Sequence, residues 1–151
     1  MQYWLFKSEP DVFGIDDLAQ SPDQTARWDE IRNYQARNFL RDEVRVGDQV
    51  FIYHSSCKQV GIAGVAEVVR AAYPDPSQFE PSHALFDVKA APGSPRWFCV
   101  DIRLRESFSR VIPLRQLKAT AALADMTLLR QGRLSVQPVS AAQWQLVLEL
   151  R

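Results

Sequence analysis

From Val60 to Arg70 the chain reads Val60-Gly61-Ile62-Ala63-Gly64-Val65-Ala66-Glu67-Val68-Val69-Arg70, a β-type run interrupted only by two glycines. A strand of that length with glycines near its start must bend or bulge there, as a curling sheet requires. A second β-type segment precedes it closely. In residues 49–54, Val50 and Ile52 alternate with Phe51 and Tyr53, two apolar sets on opposite faces. Further strands are expected at residues 2–7, 84–89, 97–106 and 134–137, the last stopped by Pro138. In the strand at 97–106, Phe98, Val100, Ile102 and Leu104 would face the core. The strands lie too close together in sequence for regular βαβ crossovers. A small, curved, mostly antiparallel sheet or pseudo-barrel with short peripheral helices fits best, an α+β fold of about six strands.

Helical signals fall between and after the strands. Residues 14–20 suggest a short helix. Asn33 suits the N-cap of a helix over 34–42, with Ala36, Phe39 and Leu40 as its apolar stripe. Gly47-Asp48 marks a turn before the strand at 49–54. Pro113 stands where a helix can begin, and another is expected around 121–130. Ser140 and Gln143 have capping-box spacing at the start of the last helix, and Val139 with Trp144 the spacing of a hydrophobic staple.

The size, 151 residues, favours one domain over residues 1–151 with a single core. No apolar run approaches the roughly 20 residues that span a bilayer. The N-terminus reads as a strand and not a signal peptide. Two cysteines, Cys57 and Cys99, are too few for a disulfide framework, so a reducing cytoplasm is the expected compartment.

The 18 basic residues are matched by 18 acidic ones. A chain without net positive charge should not coat nucleic acid indiscriminately, because non-specific binding depends on counterion release. Arg outnumbers Lys, however, and its planar fork suits phosphates and base edges.

Catalysis finds little support. His54-Ser55-Ser56-Cys57 gathers an imidazole, hydroxyls and a thiol, but adjacent strand residues point to opposite faces, and a triad needs a base oriented by a third group. His83, the other histidine, falls in a Pro- and Ser-containing loop. The histidines and cysteines lack zinc-type spacing, and Gly61-Ile62-Ala63-Gly64 lacks the ending of a phosphate loop. No metal and no cofactor are expected.

Binding groups are better represented. Lys7-Ser8-Glu9-Pro10 ends the first strand with a cation, a hydroxyl and a carboxylate. The stretch from Trp28 to Leu40 combines an aromatic plate, amides and guanidinium groups. Tyr53-His54-Ser55, Arg96-Trp97 and Arg133-Leu134-Ser135-Val136-Gln137-Pro138 lie at other strand ends. If these tips gather around Trp28, they form a slot for one planar, hydrogen-bonding heterocycle.

Those same motifs, together with Arg32-Asn33-Tyr34-Gln35-Ala36-Arg37-Asn38-Phe39-Leu40-Arg41, Gly47-Asp48, Ala72-Tyr73-Pro74-Asp75 and Gly132-Arg133-Leu134-Ser135-Val136-Gln137-Pro138, give the chain its resemblance to the EVE domain family, and more distantly to YTH and other PUA-like domains. The resemblance runs almost end to end, with Ile31 where the family often has Val. It implies a PUA-like β pseudo-barrel and a non-catalytic cleft that accepts a modified base of DNA or RNA, turned out of its stack. Carried onto this sequence, Trp28 and Trp97 would stack on the base. Ser8, Asn33, Tyr53, His54, Ser55, Ser135 and Gln137 would hydrogen-bond it. Lys7, Arg32, Arg37 and Arg133 would meet flanking phosphates. Two other readings compete: an enzyme acting on a nucleotide or RNA through His54 and Ser55 or Glu9, and a protein-interaction scaffold.

Selectivity in such a cleft must come from the base edge. One buried methyl is worth only about 0.8 kcal/mol, and every base can stack. A wrong edge leaves a buried donor or acceptor unpaired at roughly 1–3 kcal/mol each.

Overall fold

In the computed structural model, which describes residues 1–151, six strands form one mixed sheet: β1 (Tyr3–Ser8), β2 (Thr25–Trp28), β3 (Gln49–His54), β4 (Gly61–Pro74), β5 (Phe98–Pro113) and β6 (Val136–Val139). The strand order is β2-β5-β4-β3-β1-β6. Only β1 and β3 run parallel; every other neighbouring pair is antiparallel. A parallel pair needs a long crossover. Here the chain between Ser8 and Gln49 supplies it, carrying α1 (Pro10–Phe13), α2 (Ile15–Gln20), β2 and α3 (Tyr34–Asp42). The remaining helices are α4 (Leu114–Ala119), α5 (Thr127–Arg130) and α6 (Ala141–Leu150).

The expected pseudo-barrel is corrected in one respect. β2 and β6 are edges, so the sheet stays open. It nevertheless curls strongly: Phe6 on β1 and Trp28 on β2 have ring centroids 5.8 Å apart, although three strands separate them along the sheet. The bend falls at the glycines. The β3–β4 and β4–β5 registers both slip beside Ala63. A Cβ on Gly64 would collide with the Glu106 carbonyl and the Ile15 side chain, so the missing side chain lets α2 seat on the strand.

Both faces of the sheet are covered, which explains why β3 has no polar side. Val50 and Ile52 join Trp4, Phe6, Ile15, Leu18, Ala36 and Leu40 on one face. Phe51 and Tyr53 join Leu5, Leu117, Leu123, Trp144 and Val147 on the other. Trp144 of α6 stacks on Phe51 at 3.7 Å between centroids. The Ser140–Gln143 capping box closes in both directions at 3.1 Å, and Val139 and Trp144 are buried in the same cluster. Gly47 adopts φ +93°, the left-handed turn that favours glycine. Asp48 then accepts hydrogen bonds from the Trp4 indole and from the backbone of Gln2 and Arg45.

Some expected elements differ. Residues 84–89 form turns, not a strand. Phe86 and Val88 are exposed, and the Asp87 carboxylate accepts from the Lys89 amide and the Trp97 indole instead of leaving the backbone to pair. The helix expected at 121–130 is split into a 3-10 turn at Ala121–Leu123 and α5. Pro138 does not stop β6 but lies within it, tolerated because β6 is an edge strand with β1 as its only neighbour. The four-residue β2 is an element that the sequence pattern did not announce.

Candidate functional site

The crossover lays α1 and the segment after β2 against the end of β1, and a cleft of about 520 Å³ opens between them. That volume lies within the range of about 300–1,000 Å³ typical of small-molecule sites. Trp28, Phe13, Val12 and Ile31 supply its apolar wall. Lys7, Arg27 and Arg32 are balanced by Glu9, Asp29 and Glu30, and Ser8 and Ser135 add hydroxyls. Trp28 is held by Phe6 and, edge-on, by Phe13 at 6.1 Å, and its indole N–H has no protein acceptor.

Arg32 is fixed from below. Its Nη1 donates to the Ile31 carbonyl and to Asp75, and its Nη2 to the Ser77 hydroxyl and the Leu85 carbonyl. Asp75 is fully buried and also accepts from the Glu30 amide at 2.8 Å and from the amide and hydroxyl of Ser77. Burial alone would raise this carboxyl; the bonds from Ser77, Glu30 and Arg32 outweigh it and hold Asp75 below the usual carboxylate range. Glu30 takes a left-handed conformation, φ +65°, to direct its amide to Asp75. Three buried side-chain polar atoms in the molecule have no hydrogen-bond partner: Ser8 Oγ, Arg32 Nε and Gln137 Oε1. Two of the three belong to side chains of this cleft. Such a group costs roughly 1–3 kcal/mol unless a partner arrives.

Of the residues singled out from sequence, Lys7, Ser8, Glu9, Trp28, Arg32 and Ser135 come together here. The others lie elsewhere, each for a physical reason. Asn33 Oδ1 caps α3 by accepting from the Ala36 amide, and Asn33 lines a separate shallow depression with Arg133 and Gln131. Tyr53 is packed into the opposite face of the sheet, its hydroxyl pushed up by burial. His54 Nε2 accepts from the Ile15 amide at 3.1 Å, and burial pushes its pKa down against the pull of Asp16 and Asp17. Ser55 extends the β1–β3 ladder through its bond to the Ser8 carbonyl. Gln137 sits opposite Leu5 and donates to the Gln131 and Leu134 carbonyls. Trp97 is pinned by Asp87 and stacked under Tyr34. Arg37 reaches the Arg96 carbonyl and Asn38. The expected slot around Trp28, Asn33 and Ser55 is thus narrower in membership, with α1 as a wall that no motif announced and residues 29–31, inside the stretch from Trp28 to Leu40, as walls that were given no role of their own. Asp75 appears in the sequence only as the end of the motif Ala72-Tyr73-Pro74-Asp75. The one available signal was an acid between Pro74 and Pro76, a position suited to capping the next turn.

A second depression of about 440 Å³ is lined by Lys58, Arg110 and Arg115 with Gln59, Val60, Val111, Pro113 and Leu114. It has no aromatic wall, so a planar ligand would find nothing to stack on. The Trp28 cleft is the candidate.

Fold and cleft together define an α+β domain with an open, curled six-stranded sheet and an aromatic-floored cleft beside its parallel strand pair. The chain belongs to the EVE domain family, whose pattern matches residues 2–150. It is 43% identical over 164 residues to thymocyte nuclear protein 1 of Danio rerio, covering 97% of this chain and 71% of that protein. The Homo sapiens protein of that name is 41% identical, covering 98% of this chain and 73% of the relative. Among solved structures, a Pseudomonas putida protein aligns with TM-score 0.92 at 49% identity, covering 98% of each chain. The human THYN1 protein, solved in complex with DNA containing 5-methylcytosine, aligns with TM-score 0.94 at 40% identity, covering 99% of this chain and 97% of that one. No helix here is long and apolar enough to cross a membrane.

Proposed function

We propose that residues 1–151 act as one non-catalytic domain that takes a single modified nucleobase of DNA or RNA into the Trp28 cleft. The observation that carries this reading is the pairing of an aromatic floor with two buried atoms of lining side chains, Ser8 Oγ and Arg32 Nε, that the fold leaves without a partner and that a base reaches only by displacing their cover. The likeness to a protein solved with 5-methylcytosine DNA supports the choice of ligand. In this reading the base stacks on Trp28, and Val12, Phe13 and Ile31 receive the added methyl. Ser8 and Ser135 meet the base edge. Arg32 is a base-edge donor and not a phosphate clamp, since Asp75 neutralises its charge and four hydrogen bonds hold its two Nη atoms. Lys7 and Arg133 remain for the flanking phosphates.

Several observations weigh against an enzyme. His54 spends its acceptor nitrogen on the backbone of Ile15, which removes it as a general base and leaves Glu9, on the cleft wall, as the remaining candidate of the enzyme reading. The cleft's three cations and three carboxylates leave little field to drive phosphate chemistry. The unpaired thiols Cys57 and Cys99 suit a reducing compartment. The cytoplasmic assignment belongs to that reading, and the nuclear name of the relatives does not support it.

The test is a titration of nucleosides and short strands, modified and unmodified, read by tryptophan fluorescence, in wild type and Ser8→Ala. Losing the Ser8 hydroxyl should weaken 5-methyl-2′-deoxycytidine binding about tenfold while folding stability stays level or rises, because an unpaired buried group has been removed. Undiminished nucleoside affinity in Ser8→Ala would count against this cleft, and turnover of any probe would count against a pure binder.

A further inference from the structure

Beside the cleft stands a second aromatic surface that base recognition leaves unused. Tyr34, the first residue of α3, is 47% exposed, unusual for a large aromatic ring in this molecule. Its ring stacks on Trp97 with centroids 4.9 Å apart and planes at 30°. Arg37 lies over the Tyr34 ring at 4.8 Å, and Arg96 at 5.8 Å while donating to the Tyr34 hydroxyl. The stack is anchored: Trp97 donates to Asp87 at 2.8 Å, and Gln78 accepts from the amides of Arg96 and Trp97. It is also continuous with the cleft, because Arg32, a cleft residue, lies over the Trp97 ring at 5.3 Å. The guanidinium groups have partners that a phosphate would have to displace: Arg96 Nη1 lies 3.8 Å from the Asp87 carboxylate, and Arg37 donates to the Asn38 side chain and the Arg96 carbonyl. Burial and then Arg41 hold the Arg37 guanidinium below its usual range, with Arg96 adding to the effect.

An exposed ring on a rigid base, bordered by guanidinium groups, has the chemistry of a platform for one unpaired base and its phosphate. We propose that Tyr34 stacks the nucleotide next to the recognised base, with Arg37 and Arg96 on the phosphate between them. Two anchor points along one strand would then fix which nucleotide is offered to the cleft. This inference rests on the base-binding reading of the Trp28 cleft and adds a second site to it. It also supplies strand affinity that a chain of zero net charge cannot draw from bulk electrostatics.

The experiment separates the two sites by probe. Wild type, Tyr34→Ala and Tyr34→Phe are titrated with 5-methyl-2′-deoxycytidine, with a short single strand carrying one 5-methylcytosine, and with the same strand abasic on both sides of that base. Tyr34→Ala should bind the intact strand about tenfold more weakly and the nucleoside as well as wild type does. Tyr34→Phe, which keeps the ring, should bind like wild type. Wild type should bind the abasic-flanked strand as weakly as Tyr34→Ala binds the intact one. Intact-strand affinity unchanged in Tyr34→Ala overturns the platform, and so does an abasic-flanked strand bound at full strength, which would leave the Tyr34 surface for a protein partner. Equal losses for nucleoside and strand would make Tyr34 a support of the cleft and likewise overturn the proposal. A wild-type protein that binds strands but not the nucleoside refutes the cleft reading instead, and binding of neither probe refutes both.

Discussion

Trp28 and Trp97 have the same exposure, 6%, and both stand beside arginines at the ends of β-structure, yet the fold engages them differently. Trp97 is spent. Its indole donates to Asp87, its ring lies under Tyr34, and Arg32 and Arg37 cover what is left. Trp28 has packing on Phe6 and Phe13 but no hydrogen bond, and it faces a cleft whose Ser8 and Arg32 carry unpaired atoms. Residue type and burial therefore do not separate the proposed ligand wall from a structural post. The distinguishing quantity is hydrogen-bonding capacity left over once the fold is complete.

The most damaging change should be one that removes the support of the cleft. Asp75→Ala would leave Arg32, Ser77 and the Glu30 amide without their common acceptor. Breaking a buried pair of this kind costs about 3–5 kcal/mol, visible as a lowered urea midpoint, and nucleoside binding should fall with it. The carboxylate's depressed pKa also sets a sign. Its contribution to stability is complete above the unfolded carboxyl pKa of about 3.9 and is lost as pH falls through the lower folded value. An Asp75→Ala protein as stable as wild type would mean that the network does not organise the site.

Next in size is the contrast between the tryptophans. Trp28→Leu should cost about 1–3 kcal/mol of nucleoside binding through lost stacking. Trp97→Leu should destabilise the fold by a similar amount through the lost ring and its Asp87 bond and leave nucleoside affinity unchanged. Calorimetric titration paired with thermal melts reads both. Equal binding losses would erase the distinction.

The smallest expected effect concerns His54. Its neutral ring accepts from Ile15, and burial lowers its folded pKa below the ordinary value of about 6.5. The associated stability is present above pH about 6.5 and is lost as pH falls through the folded pKa. His54→Gln, which can still accept that bond, should flatten the melting temperature over this interval without altering nucleoside affinity. A changed affinity would return His54 to the base edge.

Most of the framework was legible in the sequence because it is written locally. Periodicity marks β1, β3 and β4; Asn33, Gly47 and the Ser140–Gln143 box mark ends and turns; the glycines at 61 and 64 mark the bend. What was not legible depends on distant partners. β2 is four residues on an edge, and its alternation is too short to read. Phe86 and Val88 imitate a strand, but nothing pairs with them. Asn33 and His54 have the right chemistry for base recognition, but the fold spends their acceptors on its own backbone, which no local pattern records; Gln137 spends its donor there and keeps an unpaired Oε1, but it does not line the cleft. Asp75 organises the cleft from 43 residues beyond Arg32.

The most direct measurement follows the Arg32 Nε–H resonance by NMR while 5-methyl-2′-deoxycytidine is added. If the cleft takes the base through its unspent donor, this signal moves on saturation as the N–H gains an acceptor, and the Ser8→Ala protein needs more ligand for the same shift. A bound nucleoside that leaves the Arg32 signal unmoved while perturbing residues elsewhere would contradict the account.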